Sequence, residues 1–177
     1  LAPAVVGATA DRGRAAGALD FVNGNDHFFL NLPMPMGKGM LKAAEGEPLS
    51  SLVSVMARNG TDFGIQLASM PGRWFTGPAL PVRGLYFPGF SEADANPDIG
   101  DSASTETAGF GGFAMAAAPA IVQFVGGSAE DALAATRAMR RITLGPNPGF
   151  AIPALGFSGT PTGIALRLVL ERNLLPQ

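Results

Sequence analysis

From Thr107 to Ala129 the chain carries no charged side chain, and this run limits what the rest can fold into. It is long enough to cross a bilayer, which needs about 20 apolar residues. Its flanks argue against a span. Both sides are acidic, and no Lys or Arg cluster marks a cytoplasmic end. Gly109, Gly111, Gly112 and Pro119 also make it a poor isolated helix, whereas small residues let backbones approach closely inside a packed domain. We read it as a buried helix or helix–strand unit at the centre of the fold.

A chain of 177 residues is one domain or the larger part of one. Charged residues make up 15% of it, against about 25% in an ordinary globular protein. A surface so short of charge is expected to be covered in part, by more of the same polypeptide or by partner subunits. The chain opens on Leu1, with no signal-like segment, so we expect a piece of a longer, cytoplasmic protein. The net charge of −2 and the lack of a basic stripe exclude a nucleic-acid partner. Arg137, Arg140 and Arg141 read as a helix end. With no cysteine, disulfides, thiolate zinc sites and cysteine nucleophiles are excluded.

The local signals predict an α+β fold, with a β-hairpin sheet packed on the Gly/Ala-rich buried helix. Residues 11–22 look helical, with Asp11 as cap and Leu19 and Phe21 inward. In the segment after His27, Pro33 and Pro35 predict a kink or two short pieces. Leu52–Arg58 and Thr61–Leu67 flank Asn59-Gly60, the favoured pair for a two-residue type I′ hairpin. That register sets Arg58 opposite Thr61, Met56 opposite Phe63, Ser54 opposite Ile65 and Leu52 opposite Leu67. The face they share is mostly apolar, with Arg58 at its mouth. Asn59-Gly60-Thr61 matches a glycosylation sequon but reads better as this turn.

Residues 70–90 are broken by glycine and proline; we expect a short strand at Leu85–Phe87, and Trp74 and Phe75 anchored to the core. A helix capped by Ser128 follows the uncharged run, with Ala132, Ala135, Met139 and Ile142 inward and Gly145-Pro146 at its end. Phe150–Phe157 reads as a buried strand and SGTPTG as a turn. Ile164–Leu174 is apolar and fits helix or strand.

Five acids crowd between Glu92 and Glu106: Glu92, Asp94, Asp98, Asp101 and Glu106. Carboxylates can hold a hard cation such as Mg²⁺, with Asp94, Asp98 and Asp101 as the candidates, but their spacing matches no calcium loop. The plainer reading is that these residues make turns by bonding their own backbone. No cofactor is expected. His27 is the sole histidine, so a histidine proton step must use it. Lys38, Arg58 and Arg73 are candidates for gripping anions, arginine in a forked geometry. Asn59 and the hydroxyls of Ser102, Thr105, Thr160 and Thr162 can bind substrate; Asp98, Asp101 and Glu106 can orient those groups. The glycine-rich turns fit neither a Walker loop nor a dinucleotide fingerprint.

Taken together, NDHFFLNL, MARNGTDFGIQL, RWFTGPA, GLYFPGF, DANPDIGDSASTETAG, GFAMAAAPAIVQFVGG and FAIPALGFSGTPTGI resemble the bacterial YlbE-like family. That family is similar to AllG, a subunit encoded beside FdrA-type proteins in purine and allantoin catabolism operons. The resemblance runs from about residue 19 to residue 164. It implies an α+β fold in a protein more than twice this length, and membership of an oxamate carbamoyltransferase assembly. Its reaction exchanges a carbamoyl group between oxalurate and phosphate, giving oxamate and carbamoyl phosphate. The implied partners are small anions (oxamate, carbamoyl phosphate, phosphate), FdrA-like and other subunits, or further copies of the chain. No catalytic residue set comes with the resemblance. On chemistry alone His27, Arg58, Asp101 and Glu106 are the catalytic candidates, with Lys38, Asn59, Arg73, Asp98, Ser102, Thr105, Thr160 and Thr162 binding substrate. Two other readings stand beside it: a non-catalytic scaffold subunit, and a metal-dependent enzyme of another kind.

Overall fold

A computed structural model of the chain describes residues 1–81, 86–98, 100, 103–124 and 126–176. They form two compact units, Leu1–Met36 and Gly37–Gln177. In the first, α1 (Ala2–Gly7) precedes α2 (Arg12–Asn23). Asp11 caps α2 as expected, its Oδ1 accepting from the N–H groups of Gly13 and Arg14 at 2.9 and 3.1 Å. Phe21 does not turn inward: it is 63% exposed, and its ring meets Phe28 edge-on. A short 3-10 helix, Phe28–Asn31, is followed by α3 (Pro33–Lys42). The break falls at Pro33 because proline suits a first helical turn and cannot continue a preceding one.

The second unit holds two small antiparallel sheets. β1 (Val53–Arg58), β2 (Asp62–Leu67) and β3 (Phe75–Pro78) lie in that order. The hairpin is present, but its register is not the one a turn at Asn59-Gly60 imposes. Arg58 pairs with Phe63 and Met56 with Ile65, and a bulge near Ser54 brings Val53 opposite Leu67. The turn is centred one residue later, on Gly60-Thr61, with the Asn59 N–H donating to the Asp62 carbonyl at 3.1 Å, because the Asn59 side chain takes up the Thr61 N–H that an Asn59-Gly60 turn would pair with Arg58. The Asn59 Oδ1 accepts from Thr61 N–H at 3.0 Å and Asp62 N–H at 2.7 Å. A shift of two residues keeps side-chain parity, so the apolar face with Arg58 at its mouth survives. Strand structure falls at Phe75–Pro78; Phe87 is outside any strand and Leu85 lies outside the described residues. Trp74 is no core anchor. It is 48% exposed, lying across Gly64, where an added Cβ would come within 2.9 Å of the ring.

The uncharged run folds as short pieces. After α4 (Ser104–Thr107) come a 3-10 helix, Gly111–Ala117, and α5 (Pro119–Phe124). Gly109 and Gly111 take positive φ, and Pro119 restarts the helix, so no single helix forms. Only part of it is core: Phe113 is 0% exposed, while Ile121 faces solvent. Ala116 donates its N–H to Thr136 Oγ1 on the next helix at 2.9 Å. That helix is α6 (Ala129–Arg140), whose buried side is Ala132, Thr136 and Met139.

Beyond α6 the expectation reverses. The helix ends at Arg140, and Gly145-Pro146 lies inside β4 (Thr143–Ile152). The chain turns at Pro153–Leu155, leaving Phe157 exposed, and SGTPTG runs as strand β5 (Ser158–Ile164). Pro146 stands opposite Pro161. In a two-stranded sheet every strand is an edge, where a missing N–H is tolerated. α7 (Leu166–Arg172) closes the described chain. Val53, Leu67, Phe113, Met139, Ile142, Ile164 and Val169 form the core. No helix among the described residues is long and apolar enough to cross a membrane.

Three outcomes test this architecture. Gly109 has φ +93°, and a Cβ there would run into the Pro161 carbonyl oxygen and come within 2.7 Å of Thr162 Oγ1. Gly109→Ala is expected to cost about 1–3 kcal/mol in urea unfolding. Gly39 lies within α3 with open space around its Cα, so Gly39→Ala should stabilise by about 0.5–1 kcal/mol. In the α6 capping box, the Ser128 hydroxyl and N–H hold the Asp131 carboxyl below its usual range. A folded pKa below the unfolded one adds stability above the unfolded value and loses it as pH falls through the folded value. The Tm gap between wild type and Asp131→Asn should therefore be full at neutral pH and shrink in acid.

Candidate functional site

The hairpin tip is held by one carboxylate. Asp98 is 3% exposed. Its Oδ2 accepts from the Gly60 N–H at 3.1 Å and the Gly100 N–H at 3.0 Å, and its Oδ1 stands 3.2 Å from Arg58 Nε. A buried carboxylate is tolerable when hydrogen bonds and an opposite charge replace water, as here. Gly60, at φ +100°, is what lets its N–H face Asp98. The Arg58 side chain keeps 37% of its surface exposed. A guanidinium that meets a carboxylate through Nε still has its two Nη nitrogens as further donors.

Arg58 lines a cavity of about 470 Å³. Met56, Phe63, Ile65 and Leu80 supply apolar wall; Arg58, Asp98 and Glu106 supply charge. The Ala103 N–H donates to the Met56 carbonyl at 3.1 Å, which ties the segment entering α4 to β1 and brings Glu106 to the cavity. Glu106 Oε1 accepts from the Gly112 N–H at 3.2 Å, and Oε2 from the Thr105 hydroxyl at 2.7 Å. Gly111 is required beside it, since a Cβ there would collide with Oε1.

Of the residues singled out from sequence, Arg58, Asp98 and Glu106 therefore come together, with Thr105 bonded to Glu106. Asn59 serves its own turn. Lys38 is exposed on α3 and does not line the cavity. Neither does Arg73, whose guanidinium lies 5.0 Å from the Phe75 ring centroid. Thr160 is buried in β5, and the Thr162 hydroxyl donates to its carbonyl at 3.3 Å; both lie away from the cavity. His27 belongs to the first unit, exposed, with its N–H on Asn25 Oδ1 at 3.0 Å. Asp101 and Ser102 lie outside the described residues. Asp94 makes a capping box with Ser91, whose hydroxyl and N–H hold its carboxyl below the usual range. Among the described residues no three His, Asp or Glu side chains group as a metal site. Sequence reasoning missed the cavity's apolar wall as ligand-binding surface. The signal was present, because Met56, Phe63 and Ile65 lie on the hairpin face that carries Arg58.

Residues 1–102 match the family model described as oxamate carbamoyltransferase subunit AllG. Over 157 residues the chain is 50% identical to the uncharacterized protein YahG of Escherichia coli (strain K12), covering 89% of this chain and 33% of YahG. Over 177 residues it is 42% identical to the oxamate carbamoyltransferase subunit AllG of the same organism, covering 99% of this chain and 42% of AllG. A crystal structure of a conserved protein of unknown function from Enterococcus faecalis V583 superposes with a TM-score of 0.88 at 41% identity, over 99% of this chain and 44% of that one. The chain thus spans less than half the length of each of these relatives. Arg58 and Asp98 fall inside the stretch that the family model matches, and the chain belongs to the AllG family.

Proposed function

We propose that this chain is the part of an AllG-like subunit that holds a small carboxylate-bearing substrate for carbamoyl transfer, in the cavity beneath Arg58. The observation that carries this reading is the Arg58–Asp98 ion pair on the cavity wall. Arg58 lines the cavity with its Nε 3.2 Å from Asp98 Oδ1, and a guanidinium is a planar fork of donors that suits a carboxylate. The apolar wall of Met56, Phe63 and Ile65 lowers the local dielectric and strengthens that grip. In the reaction the family resemblance implies, a carbamoyl group passes between oxalurate and phosphate. Glu106, on the same cavity, is then placed to accept an N–H of the substrate and orient its carbonyl. The other reactant and the rest of the chemistry belong to the larger protein and its partner subunits, in a cytoplasmic assembly.

Apolar side chains flanking β3, Trp74 and Leu80, are also exposed, which favours burial against another subunit and so a scaffold role beside the binding one. The two roles separate experimentally. In the full-length protein with its partner subunits, Arg58→Ala should lower kcat/KM for carbamoyl transfer to oxamate about 100-fold or more. Arg58→Lys should recover little of it, since an ammonium cannot reproduce the fork. Undiminished transfer by both variants, in an intact assembly, would leave only the scaffold role.

A further inference from the structure

Only three of the described residues that line the hairpin cavity carry a polar side chain: Arg58, Asp98 and Glu106. Two of these form an ion pair, Arg58 Nε standing 3.2 Å from Asp98 Oδ1. Glu106 is engaged with the Gly112 N–H and the Thr105 hydroxyl. Every other described lining residue is apolar or glycine, and no hydroxyl, amide or imidazole side chain is among them. A ligand with polar groups along its length would lose water there and find no side-chain partner for them. A ligand with one charged end and an apolar remainder would lose nothing of the kind. The space is also large. About 470 Å³ lies within the range of roughly 300–1,000 Å³ that takes drug-sized ligands, and a two-carbon anion would fill only one end of it.

The segment after α7 supplies a further wall. α7 ends at Arg172, and Asn173 takes the left-handed conformation at φ +48°. Its N–H donates to the Leu170 carbonyl at 3.3 Å, and the Leu174 N–H to the Val169 carbonyl at 3.2 Å. These two bonds close the helix end and fix the direction in which the chain leaves it. Leu174 packs on the core, and Leu175 and Pro176 stand on the cavity wall. Three large apolar side chains of that wall, Phe63, Leu80 and Leu175, are left 42, 68 and 58% exposed, so an apolar body seated on them would take them out of water.

We propose, on the reading of Arg58 as a carboxylate site, that the carboxylate held there belongs to an amphipathic monoacid. Its apolar body lies on Met56, Phe63, Ile65 and Leu80, and Leu175 sets the length of body that the cavity takes.

The test is a ligand-observed NMR titration of the full-length protein, in complex with its partner subunits, with acetate, butyrate, hexanoate and octanoate. Affinity is expected to rise about twofold to fourfold for each methylene seated on the wall. The alcohol 1-hexanol keeps the body without the charge and should bind about 10-fold more weakly than hexanoate. Leu175→Ala, a truncation of an exposed side chain outside the core, should weaken octanoate about 3- to 10-fold and leave acetate unchanged. Affinity that does not rise with length overturns the apolar body. Unchanged octanoate affinity in Leu175→Ala overturns the role of Leu175. Arg58→Ala separates these from the carboxylate reading. If it abolishes binding of all four acids while the wild type shows no dependence on length, the carboxylate reading stands and the amphipathic one falls. If it leaves their binding unchanged, both fall.

Discussion

One buried carboxylate organises the functional end of this molecule. Asp98 gathers the Gly60 N–H from a hairpin tip, the Gly100 N–H from its own loop and the guanidinium of Arg58. None of the three is stable alone. A hairpin tip frays, a loop rich in glycine and proline has many conformations, and an arginine on a strand end has many rotamers. A carboxylate removed from water must find partners or cost several kcal/mol, and these are the partners within reach. Each contact therefore supports the others, and the side effect is an arginine held at the cavity wall. Breaking one arm of such a buried arrangement costs more than the net worth of forming it, because the remaining charge is left without compensation.

Close approach of backbones makes that arrangement possible. The segment around Gly109 and Gly111 lies so near β5 and Glu106 that neither position has room for a Cβ. Phe113 then reaches the core formed by both sheets and α6, and the turn before it holds Glu106 at the cavity. The low charge of this stretch is a consequence of packing. Glycine and alanine let the chain pass closely, and what they lose in helix continuity is offset by Phe113 and the Ala116–Thr136 hydrogen bond.

The signals that proved legible were those written within a few residues. Asp11 and Ser128 cap helices, because an N-cap oxygen needs only the N–H groups two or three positions ahead. Pro33 divides a segment and Gly60 turns the chain through their own dihedral properties, and Asn59 adds hydrogen bonds two and three positions ahead. The failures came where a distant partner overrides the local rule. Gly145-Pro146 and SGTPTG look like punctuation, yet each supplies the other with a strand partner. Trp74 has the composition of an anchor, but it stands just before the edge strand β3 and lies across Gly64 with half its surface exposed. Lys38 and Arg73 have the right chemistry for anions and stand on exposed surfaces.

The residue types of a site were therefore present in the sequence, and so were the turn, the caps and the apolar face with an arginine at its mouth. Those depend on bonds and dihedrals that a short peptide already contains. Only the tertiary structure decided that Arg58 meets Asp98, forty positions on, that Glu106 shares their cavity, and that Lys38 and Thr160 do not line it. Such pairings come from long-range closure, where burial of Phe113, Met139 and Ile164 selects one packing among many. No local pattern carries that information, because the energy that selects it is shared among residues far apart in the chain.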